Sequence, residues 1–202
     1  MADYTQVQAT VLTQQALALA ASVAGTPVNV AGYLAGIVYI YKGKTATTAD
    51  LTAGLDYIAL QVSPDASGNN WYDYTKFIPS GTAALTEALT ATEPVGETVL
   101  ATSTTAAFVL GSYVFCTDAT DEALNSEWLV PIAVAANVSH TYRDGLLFAK
   151  AADDDVYDQA ERWAVGIDFA GVQRIRLVAQ HLGATGSGWV IKAILEAASA
   201  IV

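Results

Sequence analysis

The sequence predicts an all-β protein, a jelly-roll-like antiparallel β-sandwich that carries an inserted small β module. Apolar and polar side chains alternate with a period of two along most of the chain, which is typical of strands with one buried face. Loops rich in Gly, Asn, Asp and Ser separate these runs, as at residues 63–70. Many short strands divided in this way favour a sandwich or a barrel over any helical architecture.

The host sandwich is assigned to residues 1–84 and 150–202. Its first strand is expected in "ATVLTQQALALAASVAG", which could be helical by its Ala and Leu content but alternates weakly and has β-rich neighbours. The runs "GIVYIYKGK", "DYIALQV" and "WYDYTKFI" supply further strands, and "SPDASGNN" suits a hairpin loop between the last two. The clearest strand is "RWAVGIDF", in which one face carries Trp163, Val165, Ile167 and Phe169.

The chain is expected to end in a β-hairpin around the glycine-rich loop Gly183–Gly188. A Walker-type phosphate loop needs Lys and then Ser or Thr after its last glycine, whereas Trp189 and Val190 follow here. A dinucleotide site needs a βαβ unit of about 30 residues, and only fourteen residues follow Gly188. We therefore interpret the loop as a turn, with "WVIKAIL" as the strand that returns beside "RIRLVAQH".

Residues 85–149 differ in composition and are assigned to the inserted β module. The overlapping segment 81–145 contains one basic residue, Arg143, against eight acidic ones. Short strands are expected in "ETVLAT", "SYVFCTD", "EWLVPIAVA" and "VSHTYRDG", while "TAALTEALTA" could form one helical turn. Pro131 lacks an N–H for a ladder and so predicts an edge or bulged strand. One apolar face of that strand is expected to carry Trp128, Val130, Ile132 and Val134.

The charge of the chain is sparse and acidic, which restricts its partners. Nine basic residues oppose twenty acidic ones, and the net charge is −11. Binding to nucleic acid or to an anionic membrane is not expected, because phosphate neutralisation needs clustered cations. Only 14% of residues are charged, compared with about a quarter in typical soluble domains, which favours burial of surface in an assembly. The single cysteine, Cys116, excludes an intrachain disulfide and a cysteine-based zinc site.

The residues most able to carry chemistry stand without a catalytic or ligand-binding motif. His140 and His181 lie far apart in strand-like runs, with no nucleophile motif beside them. The acidic run "DDDVYD" (residues 153–158) lacks the spacing and glycine of an EF-hand and is interpreted as a solvated loop. No catalytic residue, cofactor or metal ligand is predicted. An aromatic cluster could stack on a sugar, although packing is its commoner use, and it comprises Trp71, Tyr72, Tyr74 and Phe77.

Several segments resemble structural proteins of tailed bacteriophages. They are "VNVAGYLAGIVYIY", "DYIALQVSPDASGNNWYDYTKF" and "AERWAVGIDFAGVQRIRLVAQHLGATGSGWVIKAIL", the last with the R-[IV]-R-[LV]-V strand, glycine-rich hairpin and final strand of such proteins. The segment from "GETVL" to "YRDGL" is similar to a small β module of phage virion proteins that has a "GD-x-V-x-I" strand and a "D-G-L" turn. Gly111-Ser-Tyr-Val-Phe here replaces the Gly-Asp start, so this part of the match is incomplete.

The resemblance implies a virion component without catalytic residues and carries no binding residue onto this chain. The first expectation is a capsid decoration or cement protein, homo-oligomeric and preferably trimeric, that binds the major capsid protein or other virion proteins. It would be assembled in the host cytoplasm and lie on the capsid exterior. A tail, neck or baseplate component is the alternative. A carbohydrate-binding β domain is a third hypothesis, for which exposed Trp71, Tyr72 and Tyr74 would be the feature to test.

Overall fold

A computed structural model describes residues 4–45, 56–102, 108–121, 124–135, 138–182 and 188–200. These ranges contain strands and no helix, and their strand pairings are antiparallel, so the all-β prediction is confirmed. The N-terminal segment that could have been helical contains the end of one strand, a turn and a second strand. The strands are β1 (Tyr4–Leu17), β2 (Ala21–Ala24), β3 (Val28–Asn29), β4 (Tyr33–Lys44), β5 (Tyr57–Ser63), β6 (Tyr72–Phe77), β7 (Thr86–Ala88), β8 (Val99–Ala101), β9 (Val114–Cys116), β10 (Glu127–Leu129), β11 (Pro131–Ala135), β12 (Ser139–Tyr142), β13 (Asp155–Tyr157), β14 (Glu161–Asp168), β15 (Arg174–His181) and β16 (Trp189–Ala200).

Two larger sheets form a jelly-roll sandwich. One has the order β1-β16-β4-β14, and the other has the order β2-β15-β5-β6, with the short β3 also paired to β15. When β3 and β7–β13 are left out, eight strands remain, which can be counted from one to eight in chain order. In that count the first sheet has the order 1-8-3-6 and the second has the order 2-7-4-5. This interleaving is that of two Greek keys rolled into one sandwich, which is the jelly-roll arrangement.

The core of the sandwich lies between these two sheets, and the period-two pattern shows which side chains enter it. Alternate residues of β15 are buried along its whole length. In β14, Val165 and Ile167 are buried, Phe169 follows them into the core, and Trp163 packs at its edge, so the predicted face is confirmed. The predicted hairpin loop at 63–70 is also confirmed, because it joins the directly paired strands β5 and β6.

The predicted terminal hairpin is wrong, although "WVIKAIL" is a strand as predicted. β15 lies between β2 and β5 in one sheet, whereas β16 lies between β1 and β4 in the other. The chain therefore crosses between the sheets after β15 instead of folding back beside it. Alternation reports which side chains face the core, but it does not identify the neighbouring strand. Residues 183–187 of the Gly183–Gly188 loop lie outside the described residues.

A second group of strands, β7–β13, forms two smaller sheets of orders β10-β9-β13-β7 and β11-β12-β8. They surround a core cluster of their own, which includes Leu100, Val114 and Leu146. The helical turn predicted in "TAALTEALTA" is wrong, because β7 occupies part of this segment and pairs with β13.

The segment "EWLVPIAVA" is divided between these two smaller sheets, so its predicted single apolar face is wrong. β10 pairs with β9 and β11 pairs with β12, while Val130 between them is buried and Ile132 is 51% exposed. The change of sheet occurs where Pro131 has no N–H to continue a ladder. β11 is an edge strand with a register shift between Pro131 and Ala133, as the proline predicted.

Aromatic packing joins the two groups of strands, and the most deeply buried ring in it is that of Phe115. Phe115 of β9 is fully buried and lies against the backbone of β4, where a Cβ atom at Gly43 would be 2.4 Å from the ring. Phe115 also packs against the ring of Trp128, with centroids 4.8 Å apart. Glycine at position 43 therefore provides the space into which this ring docks.

Two buried lysines of β4 hold the segment that leads from the sandwich to β7. The Lys42 ammonium donates to the carbonyl oxygen of Ser80 at 3.0 Å and lies 3.1 Å from an Oε2 atom of Glu161. The Lys44 ammonium donates to the carbonyl oxygen of Thr82 at 2.7 Å. Both buried ammonium groups are hydrogen-bonded to backbone carbonyls, and Lys42 also has a carboxylate partner, which offsets the cost of burying charge.

Candidate interaction surfaces

His181 belongs to a buried structural pair. Its Nδ1 atom lies 3.1 Å from Oδ1 of Asp56, and its ring stacks on Trp189 with centroids 4.2 Å apart. The backbone N–H of Leu182 donates to the same Asp56 oxygen at 2.5 Å. Both members of the pair are buried, so the imidazole has no open approach for a substrate.

His140 lies in the other core, beside Glu87. Its Nδ1 atom is 3.3 Å from Oε2 of Glu87, within reach of an ion pair but without the alignment of a hydrogen bond, and neither ring nitrogen has another partner among the described residues. Burial lowers the pKa of His140. Burial also raises the pKa of the Glu87 carboxyl, against a hydrogen bond from Thr102 that lowers it. Both shifts favour the neutral forms, and the two histidines are not brought together.

Replacement of His140 by leucine is expected to reduce the acid sensitivity of the protein. Because its folded-state pKa lies below the ordinary 6.5, the unfolded chain takes up this proton more readily. The stability from neutral His140 is fully present above about pH 6.5 and is lost as the pH falls from there through the folded-state pKa, by about 1.4 kcal/mol in total per unit of pKa difference. Urea unfolding at about pH 7 and pH 5 should show a smaller loss for His140→Leu than for the wild type.

Glu87 changes the pH dependence of stability in the opposite direction, so the wild type must be compared with His140→Leu. A raised folded-state carboxyl pKa contributes stability below the ordinary value of 4.5, which is lost as the pH rises through the folded-state pKa. Glu87 is kept in both proteins, and the difference between their pH slopes reports on the imidazole. Equal slopes would contradict burial of a neutral His140.

The acidic run at 153–158 is not a solvated loop, contrary to the prediction. Asp154 is buried, and its carboxylate accepts backbone N–H groups of Ala119 and Ala151, each at 2.8 Å. Asp158 accepts the backbone N–H of Leu85 at 2.7 Å. These carboxylates satisfy loop backbone groups, which sequence spacing alone does not reveal. Within the described ranges, no group of three or more His, Cys, Asp or Glu residues is placed to hold a metal ion.

The aromatic cluster does not form one open platform. The Arg176 guanidinium lies 4.2 Å from the ring centroid of Trp71, and Phe77 stacks on Trp163 at 5.1 Å. Tyr72 and Tyr74 on the edge strand β6 are exposed, although the Tyr74 hydroxyl donates to the carbonyl oxygen of Gly166 at 3.2 Å. Stacking on a sugar is therefore restricted to the exposed rings of β6.

The most exposed apolar strand is β11. Its residues 132–135, "IAVA", are exposed on both faces, with Ile132 at 51% and Val134 at 40%. Among the described residues no second strand pairs with β11, and the Pro131 carbonyl at its start accepts the backbone N–H of Gly111 at 2.8 Å. We call residues 132–135 the β11 edge. Soluble proteins usually protect such edges with charges, which these residues lack.

Sequence reasoning identified the edge position of this strand but missed its exposure. The available signal was the run of four small or branched apolar residues directly after Pro131, without a single charge. Exposed apolar side chains continue around this end of the molecule at Val109, Leu110 and Val138. Exposed apolar side chains grouped near one edge are typical of protein–protein contact sites.

Comparisons with known proteins do not identify a family for the chain. No family model matches it, and no curated protein matches it. Among solved structures, the SPBc2 prophage-derived protein YomS aligns with 9% identity over 97% of this chain and 96% of that chain, with a TM-score of 0.30. VP17, a capsid protein of bacteriophage P23-77, aligns with 10% identity over 98% and 96%, with a TM-score of 0.22. Similarities of this size establish neither a shared fold nor a shared function.

In the described part of the chain, no helix has the length and apolarity needed to cross a membrane.

Proposed function

We propose that this chain is a non-enzymatic structural protein of a bacteriophage virion. The observation that carries the proposal is the β11 edge, an exposed and uncharged segment that has no second paired strand among the described residues, on a chain of net charge −11. A second protein can meet this surface without like-charge repulsion and can extend its sheet. Jelly-roll sandwiches include viral capsid domains, lectins and cupins, so the fold permits this role without selecting it.

The specific role proposed is that of a capsid decoration or cement protein, a homo-oligomer with trimers favoured. Residues 1–84 and 150–202 form the host domain, and residues 85–149 form the inserted module. The separate core clusters of the two strand groups support this division. Strand β13 follows residues 85–149 in the chain but pairs within one of the two smaller sheets. The major capsid protein or another virion protein is the proposed partner.

Substitution of Ile132 by lysine is expected to prevent attachment to capsids that lack decoration protein. A charge on the β11 edge opposes both strand addition and apolar contact, and we expect binding to weaken at least tenfold. The matched control is Ile78→Lys, since Ile78 is 67% exposed but lies outside any strand. Co-sedimentation with purified capsids measures both variants, and circular dichroism confirms that they fold. Failure of the wild type to bind, or equal binding by Ile132→Lys, would contradict the role of this edge.

A tail, neck or baseplate role uses the same edge to close a ring. Copy number separates the two, since hundreds of copies per particle indicate decoration and about a dozen or fewer indicate a ring. Carbohydrate binding has support only from the exposed rings of Tyr72 and Tyr74, and a glycan screen with the Tyr72→Ala variant as control tests it.

A further inference from the structure

A groove lies between the outer face of the first sheet and the inserted strands. Its volume is about 390 Å³, within the range of small-molecule sites. Its walls include Tyr41, Arg162 and Lys192 from three strands of the sandwich and Tyr113 and Trp128 from the other group. Both groups of strands are therefore needed to form it.

Two cations in this groove have no carboxylate partner. The Arg162 guanidinium lies 4.5 Å from the ring centroid of Tyr39 and donates to the Tyr113 hydroxyl at 3.1 Å. The Lys192 ammonium lies 4.7 Å from the ring centroid of Trp128 and 5.1 Å from that of Tyr41. Neither forms an ion pair among the described residues. Aromatic faces hold a cation in place without neutralising its charge, so both remain able to bind an anion.

The acidic residues that line the groove are already paired. Glu127 lies 3.5 Å from the Lys150 ammonium and accepts the backbone N–H of Leu147 at 2.9 Å. Asp144 accepts a hydrogen bond from Arg143 at 3.0 Å on the exposed rim. Neither carboxylate forms an ion pair with Arg162 or Lys192, so both cations can meet a bound anion, in a chain whose acids outnumber its bases by more than two to one.

Two hydrogen-bond donors at the groove lack acceptors. The Lys192 ammonium makes no hydrogen bond among the described residues, and burial lowers its pKa, although Glu127 nearby raises it. The indole Nε1 of Trp128 is buried and likewise has no hydrogen-bond partner there. Lys192 is only partly buried, so its ammonium remains open to an acceptor bound in the groove. The Trp128 indole N–H is closed to solvent and would sense such a ligand through the neighbouring ammonium.

We propose that this groove binds a small oxyanion, a carboxylate or a phosphate, through Arg162 and Lys192, with the ring of Trp128 as one wall of the site. The site goes beyond the proposed structural role, because it recognises a small ligand and not a protein surface. Arg162 supplies the planar donor pair that suits an oxyanion, and Lys192 supplies a point charge. The β11 edge is not part of this site.

NMR titration of the full chain with D-glucuronate, and separately with inorganic phosphate, tests the site. The indole N–H signal of Trp128, assigned by its loss in Trp128→Phe, should shift and saturate with at least one of the two anions. Lys192→Gln and Arg162→Gln should each weaken binding about tenfold or more, as expected for loss of a charge-assisted hydrogen bond. Lys192→Arg keeps the charge and should retain binding.

The matched control is Arg176→Gln. Arg176 lies over Trp71 much as Lys192 lies over Trp128, but it is outside the groove, so its removal should leave binding unchanged. Response to glucuronate alone assigns a carboxylate ligand, and response to phosphate alone assigns a phosphate ligand. The proposal is overturned if neither anion gives a saturating shift, or if Lys192→Gln binds as tightly as the wild type. A third titration uses a tetraglutamate peptide as a model of an acidic protein segment. Binding of this peptide alone would also overturn the proposal, because it would assign the groove to a protein partner.

Discussion

Replacement of Phe115 by alanine is expected to lower the free energy of unfolding by about 3–5 kcal/mol, the range for deletion of a fully buried phenyl ring. The ring lies between the β4 backbone at Gly43 and the indole of Trp128, so its loss leaves a cavity where the two groups of strands meet. Urea denaturation followed by circular dichroism measures the change. A loss below about 1 kcal/mol would show that this contact contributes little to joining them.

Gly43→Ala tests the same contact from the other side. The added Cβ would lie 2.4 Å from the Phe115 ring, and we expect the forced displacement to cost about 1–3 kcal/mol. In the Phe115→Ala background the methyl group enters the cavity, so the double variant should be more stable than the sum of the single effects predicts. Additive effects in this double-mutant cycle would contradict direct packing of the ring on Gly43.

Replacement of Lys42 by methionine is expected to cost about 3 kcal/mol. Removal of one member of a buried ion pair usually costs about 3–5 kcal/mol, and the value here falls at the low end because the Glu161 side chain is 23% exposed. Glu161 also keeps hydrogen bonds from the backbone N–H of Ser80, the shorter at 2.9 Å. Thermal unfolding should show the loss as a fall in Tm of roughly 2–4 °C for each kcal/mol.

The matched second variant is Lys42→Met combined with Glu161→Gln. Removing both charges leaves no uncompensated carboxylate, so the double variant should recover part of the stability lost in Lys42→Met. The unfolding free energy of Glu161→Gln alone completes the cycle. If the losses of the two single variants add up to the loss of the double variant, the two side chains do not act as a pair.

Local sequence pattern predicted the strands well but predicted their neighbours less reliably. The alternation in β14 and β15 reports correctly which side chains enter the core, because the period of two is a property of each strand by itself. The neighbour of a strand depends on contacts that are distant in sequence. β16 thus lies beside β1, at the other end of the chain, and not beside β15, which precedes it.

The functional surfaces were less accessible to sequence analysis for a related reason. Arg162 and Lys192 are thirty residues apart, and Trp128 belongs to another group of strands, so no local motif connects them. The alternation in "GIVYIYKGK" places Tyr39 and Tyr41 on the same face of the strand. What covers them depends on the packing of one group of strands on the other, which alternation does not describe.

The central claim is that this chain is a structural component of a virion. Quantitative mass spectrometry of purified particles of the phage proposed to encode it tests this claim most directly. We expect the chain to be present in hundreds of copies per particle, as a decoration protein of the shell requires. Its absence from purified particles, with abundant chain remaining in the infected-cell lysate, would contradict the account.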